Sequence, residues 1–488
     1  MQLATTVERN ALLRNNLPLP PERRPWAERV LRSKWTWVVL ILLLVEAAAL
    51  ILVGLQMVPD REVDGGTTYG TGTEALWPST RYALITVIPL SLLFIWSDRF
   101  RPMRFWIWLI TFGWGGTVAV WASYNLNNFA ANYMSIVGPG DPRATSRLAT
   151  FVAPFVEEAM KGAILFLIAI VLRYRFVSKL SGIALGGLAG ASFAFVENIY
   201  YYASTYRAAS RSTGAANPQE LLEQIFLLRG VLTFFGHPLF TAMIGIGLAV
   251  ALRSKSKMVR VLAPVVGFLA AALLHMLFNG VASMGLPSEA SLIVLIAVGY
   301  PLVISLIIFI VRQLFVQKRL IDARLTDYAR MGWLPESDPH WTARLTTRVR
   351  VLWQALWEGR FLSTYRLQRA LTELAYLRDS IARGLVDDGG LIREKELFAT
   401  IRRLRQRGFV EPREKTRYPW LNRAARTPDP AWAPPSYPGP AGLGGTYPML
   451  PPPDYAATGD PGVPSGVPLG SGATTYSPVD PRWKPPGT

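Results

Sequence analysis

Residues 148–172 read LATFVAPFVEEAMKGAILFLIAIVL. The only charged residues in this run are Glu157, Glu158 and Lys161. At about 1.5 Å of rise per residue, a helix of this length crosses the roughly 30 Å hydrocarbon core of a bilayer. Ionisable groups are expensive there, so an acid pair and a lysine kept inside such a run mark a functional helix of a membrane protein. Glu157 and Lys161 lie four apart and share a helix face, while Glu158 points about 100° away from Glu157.

The same design recurs downstream. Phe193 with Glu197-Asn198, His237 with Thr241, and His275 with Asn279 sit in other apolar runs, again with partners four apart. Eight membrane helices are expected, over residues 35–58, 82–96, 105–123, 148–172, 181–203, 226–252, 261–284 and 291–316. The expected fold is an all-α polytopic membrane protein with about eight transmembrane helices, a small helical cytoplasmic region and a disordered C-terminal tail.

Composition agrees with that class. The chain has 488 residues, 51% of them hydrophobic, and no cysteine; its mean hydropathy is +0.24. Without cysteine there are no disulfides, thiolate metal sites or cysteine nucleophiles. A bound metal must be held by His, Glu, Asp or Asn. Residues 1–34 are polar and basic, and the apolar run that starts near Trp35 lacks a small-residue cleavage site, so it is read as a retained helix. Residues 35–316 form the membrane core. Residues 317–426 carry 23 Lys/Arg against 13 Asp/Glu, a net of +10, with Leu367, Leu371, Leu374 and Leu377 at helical spacing. They are expected to be a basic helical region on the cytoplasmic side, near anionic lipid. No nucleic-acid-binding motif accompanies the charge. Residues 427–488 hold 17 Pro and 10 Gly, too many to bury a core. A Pro-rich tail of this kind suits binding to a partner protein.

Loop charges orient the helices. Arg99, Arg101 and Arg104, then Arg173, Arg175 and Lys179, then Arg253, Lys255, Lys257 and Arg260 crowd alternate loops, and the intervening loops are poorer. Both termini are therefore expected on the cytoplasmic side. Counted from the outer helix ends, Glu157, Glu197, His237 and His275 all lie about 9 to 17 Å deep. A stripe of Gly182, Gly186, Gly190 and Ala194 predicts close approach of another helix beside Glu197.

These residue types suit hydrolysis by an activated water. Imidazoles with a carboxylate can hold zinc or another divalent ion, and a second carboxylate can take a proton from water. Asn279 can hold a developing oxyanion without adding a charge, and Lys161 can neutralise the extra carboxylate. Each pair alone also has a structural reading. Glu157 with Lys161 is an i,i+4 ion pair, His237 before Pro238 is a hydrogen-bonding group in a kinked helix, and His275 with Asn279 is an interhelical contact. Four such features at one depth weigh against coincidence.

Glu-Glu-x-x-Lys at 157–161, Phe-x-x-x-Glu-Asn at 193–198, His-x-x-x-Thr at 237–241 and His-x-x-x-Asn at 275–279 together resemble the PrsW family. These are bacterial intramembrane proteases classed as metallopeptidases, within the superfamily of type II CAAX prenyl proteases and bacteriocin-processing enzymes. The resemblance covers roughly residues 80–315. It implies that Glu157 and Glu158 match the paired essential glutamates, and His237 and His275 the intramembrane histidines. The CAAX branch has His where this chain has Glu197, which argues against prenyl-protein processing. Some members have Asp where this chain has Asn279.

The resulting expectation is an inner-membrane endopeptidase acting on a membrane-anchored protein. Glu157, Glu158, Lys161 and Asn279 are the candidate catalytic residues. Glu197, His237 and His275 are the candidate ligands of a divalent metal, zinc foremost. The rival readings are a transporter or channel with a buried Glu/His relay, and a non-catalytic scaffold acting through its tail.

Overall fold

A computed structural model of the chain describes residues 6–15, 17–18, 25–63, 66–133, 144–174, 176, 178–212, 217–283, 288–406 and 408–410. The Pro/Gly-rich tail expected over 427–488 lies outside the described residues, as do Arg143 and Arg175. The described chain is helical except for one antiparallel hairpin of β1 (Arg61–Val63) and β2 (Gly66–Thr68). The helices are α1 (Thr6–Arg14), α2 (Trp26–Leu31), α3 (Lys34–Met57), α4 (Leu76–Ser97), α5 (Phe105–Gly116), α6 (Val118–Tyr133), α7 (Ala144–Phe151), α8 (Ala153–Val171), α9 (Lys179–Arg211), α10 (Pro218–Phe226), α11 (Gly236–Leu252), α12 (Lys257–Ser283), α13 (Ser288–Arg330), α14 (Ser337–Ala343), α15 (Leu345–Trp357), α16 (Phe361–Ala382) and α17 (Asp388–Gln406). They form two compact units, residues 21–314 and residues 1–20 with 315–488.

Seven spans among the described residues are long and apolar enough to cross a membrane. The chain is thus a multi-pass membrane protein. The fourth expected span, 148–172, is not among these seven. It is divided into α7 and α8 near Val152, because Pro154 lacks the N–H needed to continue a helix and is accommodated only in the first turn of a new one. The 19 residues of α8 include Glu157, Glu158 and Lys161, all buried against protein rather than facing lipid.

Other helices also depart from their expected bounds: the span over 105–123 breaks at Thr117 and continues as α6 to Tyr133, and α13 runs past 316 to Arg330. α4 starts at Leu76, before its apolar run, with Pro78 in its first turn. α9 continues to Arg211, past the expected end at 203, because Ala208 and Ala209 extend the helix after hydropathy has fallen. The span over 226–252 is not one helix. α10 runs into a π-helical turn at Leu227–Leu232, the chain bends at 233–235, and α11 restarts at Gly236. That restart puts Pro238 in a first turn, where its missing N–H costs little.

Within residues 21–314, α9 lies innermost, packed by α4, α5, α8, α10 and α11. Small residues allow this. A methyl group added to Gly182 would collide with the Gly245 carbonyl, and one on Gly190 with the His237 carbonyl. α9 and α11 therefore meet backbone to backbone, as the glycine stripe predicts. α8 and α12 close on α11 from its other sides. Ile164, Leu165, Leu185, Leu188, Phe240 and Ile244 fill the space between these helices.

In the second unit, α16 buries Leu367, Leu371, Leu374 and Leu377, the four leucines expected on one helix face. α17 packs on α16, and α1 packs on α17. Asn15 ties the end of α1 to Asp387.

Candidate active site

α8, α9, α11 and α12 bring six of the seven expected polar residues into one buried cluster.

Lys161 is its hub. Its Nζ lies 2.6 Å from Glu158 Oε1 and 3.5 Å from Glu157 Oε2. It lies 3.0 Å from His237 Nδ1 and 4.0 Å from the centre of the Phe193 ring. A lysine ammonium only donates, so His237 Nδ1 accepts and the ring proton sits on Nε2. Nε2–H then donates to Glu197 Oε2 at 2.8 Å.

Glu158 is saturated. Its Oε1 accepts from Lys161 and, at 3.1 Å, from His275 Nδ1. Its Oε2 accepts from the Thr241 hydroxyl at 2.8 Å. Because a carboxylate accepts, His275 carries its proton on Nδ1 and keeps the Nε2 lone pair free. That Nε2 lies 3.9 Å from Glu157 Oε2. A carboxylate holding one ring nitrogen so that the other is aimed inward is the arrangement that orients metal-binding histidines. The Phe240 ring stacks on His275 with centroids 5.0 Å apart and fixes its plane.

Glu157 contrasts with its neighbour. Its Oε2 is buried and has no hydrogen-bond partner among the described residues. Glu157, His237 and His275 each offer one ligand atom, and these atoms lie within 4.8 Å of one another.

Glu197 faces the other way. Its Oε2 accepts from Arg229 at 2.7 Å as well as from His237, and Arg229 Nε donates to Asn198 Oδ1 at 2.9 Å. The Arg229 guanidinium lies over the Tyr201 ring, 3.9 Å from its centre. Arg229 belongs to the π-helical turn, and π-turns often accompany functional sites. The motif spacings give no hint of Arg229, yet a lone arginine in an apolar run obeys the same rule of cost that singles out Glu157.

Asn279 is the expected residue that stands apart. Its side-chain amide donates to the Ala149 carbonyl of α7 at 2.9 Å, which ties α12 to α7. Glu46 of α3 is a further buried carboxylate. It packs on Gly113 of α5, outside the cluster.

The charges give the cluster a preference. Glu157, Glu158 and Glu197 are three negative groups against the cations Lys161 and Arg229, which leaves one negative charge when both imidazoles are neutral. Such a charge is costly away from water. A proton on Glu157 or a bound cation balances it. The Glu157 oxygen without a hydrogen bond, the free His275 Nε2 and a donor set of one carboxylate and two imidazoles fit a divalent metal.

Residues 103–310 match the model of the family described as PrsW family intramembrane metalloprotease. No curated protein and no solved structure matches the chain.

Proposed function

Residues 103–310 form a PrsW family intramembrane metalloprotease domain, and from that premise we propose that this chain cuts a membrane-anchored protein at the Glu157–His237–His275 cluster. The observation that carries the reading is the contrast between adjacent carboxylates. Glu158 is bound on both oxygens, whereas Glu157 presents a buried, unpartnered oxygen to the free nitrogen of His275.

In this reading Glu157, His237 and His275 hold the divalent ion, zinc being the best match to two imidazoles and one carboxylate. The ion supplies Lewis acidity and lowers the pKa of a bound water. The chain does the rest. Glu158 fixes the His275 tautomer through Nδ1. Glu197 does the same for His237 through Nε2, and Arg229 and Asn198 hold Glu197 in place. For His237 to offer Nδ1, Lys161 must turn its ammonium wholly toward Glu158, which lies within its reach. Glu157, through the oxygen that does not hold the ion, would accept the proton of the attacking water and pass it to the leaving amine, with Lys161 setting the local charge. Asn279 supports this site from outside, through α7.

Contacts between loops support the orientation read from charge. Arg101 donates to the Tyr174 carbonyl, and Ser181 donates to Asp98, so the basic loops at 97–104 and 173–180 share one end of the bundle. Arg207 pairs with Asp60 at 2.9 Å and joins two of the poorer loops. With the basic end cytoplasmic, both termini are cytoplasmic and the cluster lies in the outer half of the bilayer. Cleavage then falls in the substrate's outer juxtamembrane segment or outer half-helix, helped by Gly or Pro that frees the backbone.

The test is co-reconstitution of the full chain with a single-span reporter carrying Gly-Pro in its outer half, with mass spectrometry of the products. Cuts in the outer half, absent with Glu157→Gln, are expected. Cuts confined to the cytoplasmic side would refute the orientation, and undiminished cutting by Glu157→Gln would refute the site.

A further inference from the structure

The unit that holds α1 and α14 to α17 carries an apolar surface that the protease site does not use. α15 has two faces. Val351 and Ala355 are buried beside Val410, and Arg348 is buried between the Thr342 carbonyl and the Thr372 hydroxyl. The opposite face presents Val349, Trp353, Leu356 and Trp357, and the start of α16 adds Phe361 and Leu362. All six are exposed, Trp353 at 59% and Trp357 at 84%. A patch of six large apolar side chains is more than scattered surface hydrophobicity, and such patches mark interaction sites.

The chemistry of the patch selects its occupant. At about 1.5 Å per residue the 13 residues of α15 span roughly 20 Å, too little to cross a bilayer. A helix with tryptophan and leucine on one face and arginine at its borders lies in the plane of the membrane interface. Indole rings favour the headgroup level because one end is apolar and the other donates a hydrogen bond. The charge around the patch is one-sided. Residues 344–369 contain six arginines and one acid, Glu358. Arg344, Arg360 and Arg366 are exposed, placed to meet lipid phosphates and anionic headgroups while the aromatic residues enter the acyl boundary. A protein partner would have to match an arginine-bordered tryptophan surface. An anionic lipid surface matches it without further design, and the chain is already held at a membrane by its apolar spans.

We propose that the Trp353–Trp357 face of α15, with Phe361 and Leu362, is a membrane-interface docking surface that seats this unit on anionic lipid headgroups.

The absence of cysteine makes the test direct. Single-cysteine variants of the full chain, Trp353→Cys, Trp357→Cys and, as a control, the exposed Arg402→Cys of α17, are labelled with an environment-sensitive fluorophore. They are placed in nanodiscs of phosphatidylcholine alone or with phosphatidylglycerol. Labels at 353 and 357 should be quenched by nitroxide-bearing lipid, shielded from iodide and shifted to the blue, and the label at 402 should be open to iodide. Phosphatidylglycerol should increase the lipid quenching, and Arg360→Glu with Arg366→Glu should abolish that increase. Labels at 353 and 357 that behave like the one at 402 in both lipids would overturn the proposal. Shielding from iodide without lipid quenching would overturn it in favour of a protein cover, either a second copy or this chain's own tail. Equal quenching in both lipids would overturn its preference for anionic headgroups.

Discussion

At the scale of single residues, the two adjacent glutamates should behave differently when neutralised. Glu158 holds Lys161, His275 and Thr241 at once, so Glu158→Gln breaks a buried ion pair and should cost about 3–5 kcal/mol. Its measure is a lowered melting temperature of the purified protein in detergent. Glu157 makes no hydrogen bond through Oε2 and meets Lys161 there only as a looser ion pair at 3.5 Å, so Glu157→Gln should lower the melting temperature less than Glu158→Gln does. Cleavage by that variant should fall by about 10²- to 10⁴-fold, the range for loss of a general acid or base. Equal destabilisation by both variants would contradict the division of labour. The pair is legible in the sequence because no packing benefit explains charges in an apolar run. Which of the two is saturated is not legible, since that depends on Thr241 and His275 arriving from other helices. Asn279 shows the same limit. Spacing puts it one turn from His275, but the neighbour it meets is the Ala149 carbonyl. Arg229 and Glu46 obey the rule of cost yet escape a reading built on residues four apart.

At the scale of elements, the close contact of α9 with α11 positions Glu197 on His237. Gly190→Ala should push a methyl group into the His237 carbonyl, part the two helices and lengthen the Glu197–His237 bond. Overpacking of this kind costs about 1–3 kcal/mol, and cleavage should fall further than stability alone explains. An active, fully stable Gly190→Ala variant would show that the contact does not set the site. Outside the membrane, burial raises the Glu394 carboxyl above its ordinary value of 4.5, and Tyr328 is its hydrogen-bond partner. A carboxyl raised in the folded state contributes stability that is full below the unfolded value and lost as pH rises through the folded one. The melting temperature of this unit should therefore decline as pH rises above about 4.5, the ordinary carboxyl value, and Glu394→Gln should flatten that decline. A slope unchanged by the substitution would assign the pH dependence to other groups. Helix existence is readable from apolar run length, and helix ends are not. Hydropathy reports the membrane, so it misses the extension of α9 to Arg211, and it joins across the π-turn that carries Arg229.

At the scale of the whole molecule, orientation and chemistry are separable. A reporter fused after Ser254 should read cytoplasmic, and one inserted near Gly214 should read external, because the loops that contact each other fall into a basic set and a poorer set. The reverse result at both sites would invert the depth of the cluster while leaving its geometry intact. The tail beyond 426 is expected to lie outside the catalytic unit, so its deletion should not change cleavage in detergent. The central claim is that Glu157, His237 and His275 together hold the ion that proteolysis needs, and the most direct measurement is the divalent metal content of the purified full chain beside that of a folded His275→Ala variant. The account predicts about one ion per chain in the wild type and none in the variant, with cleavage lost in step. Wild-type protein stripped of metal that still cleaves at full rate would contradict it.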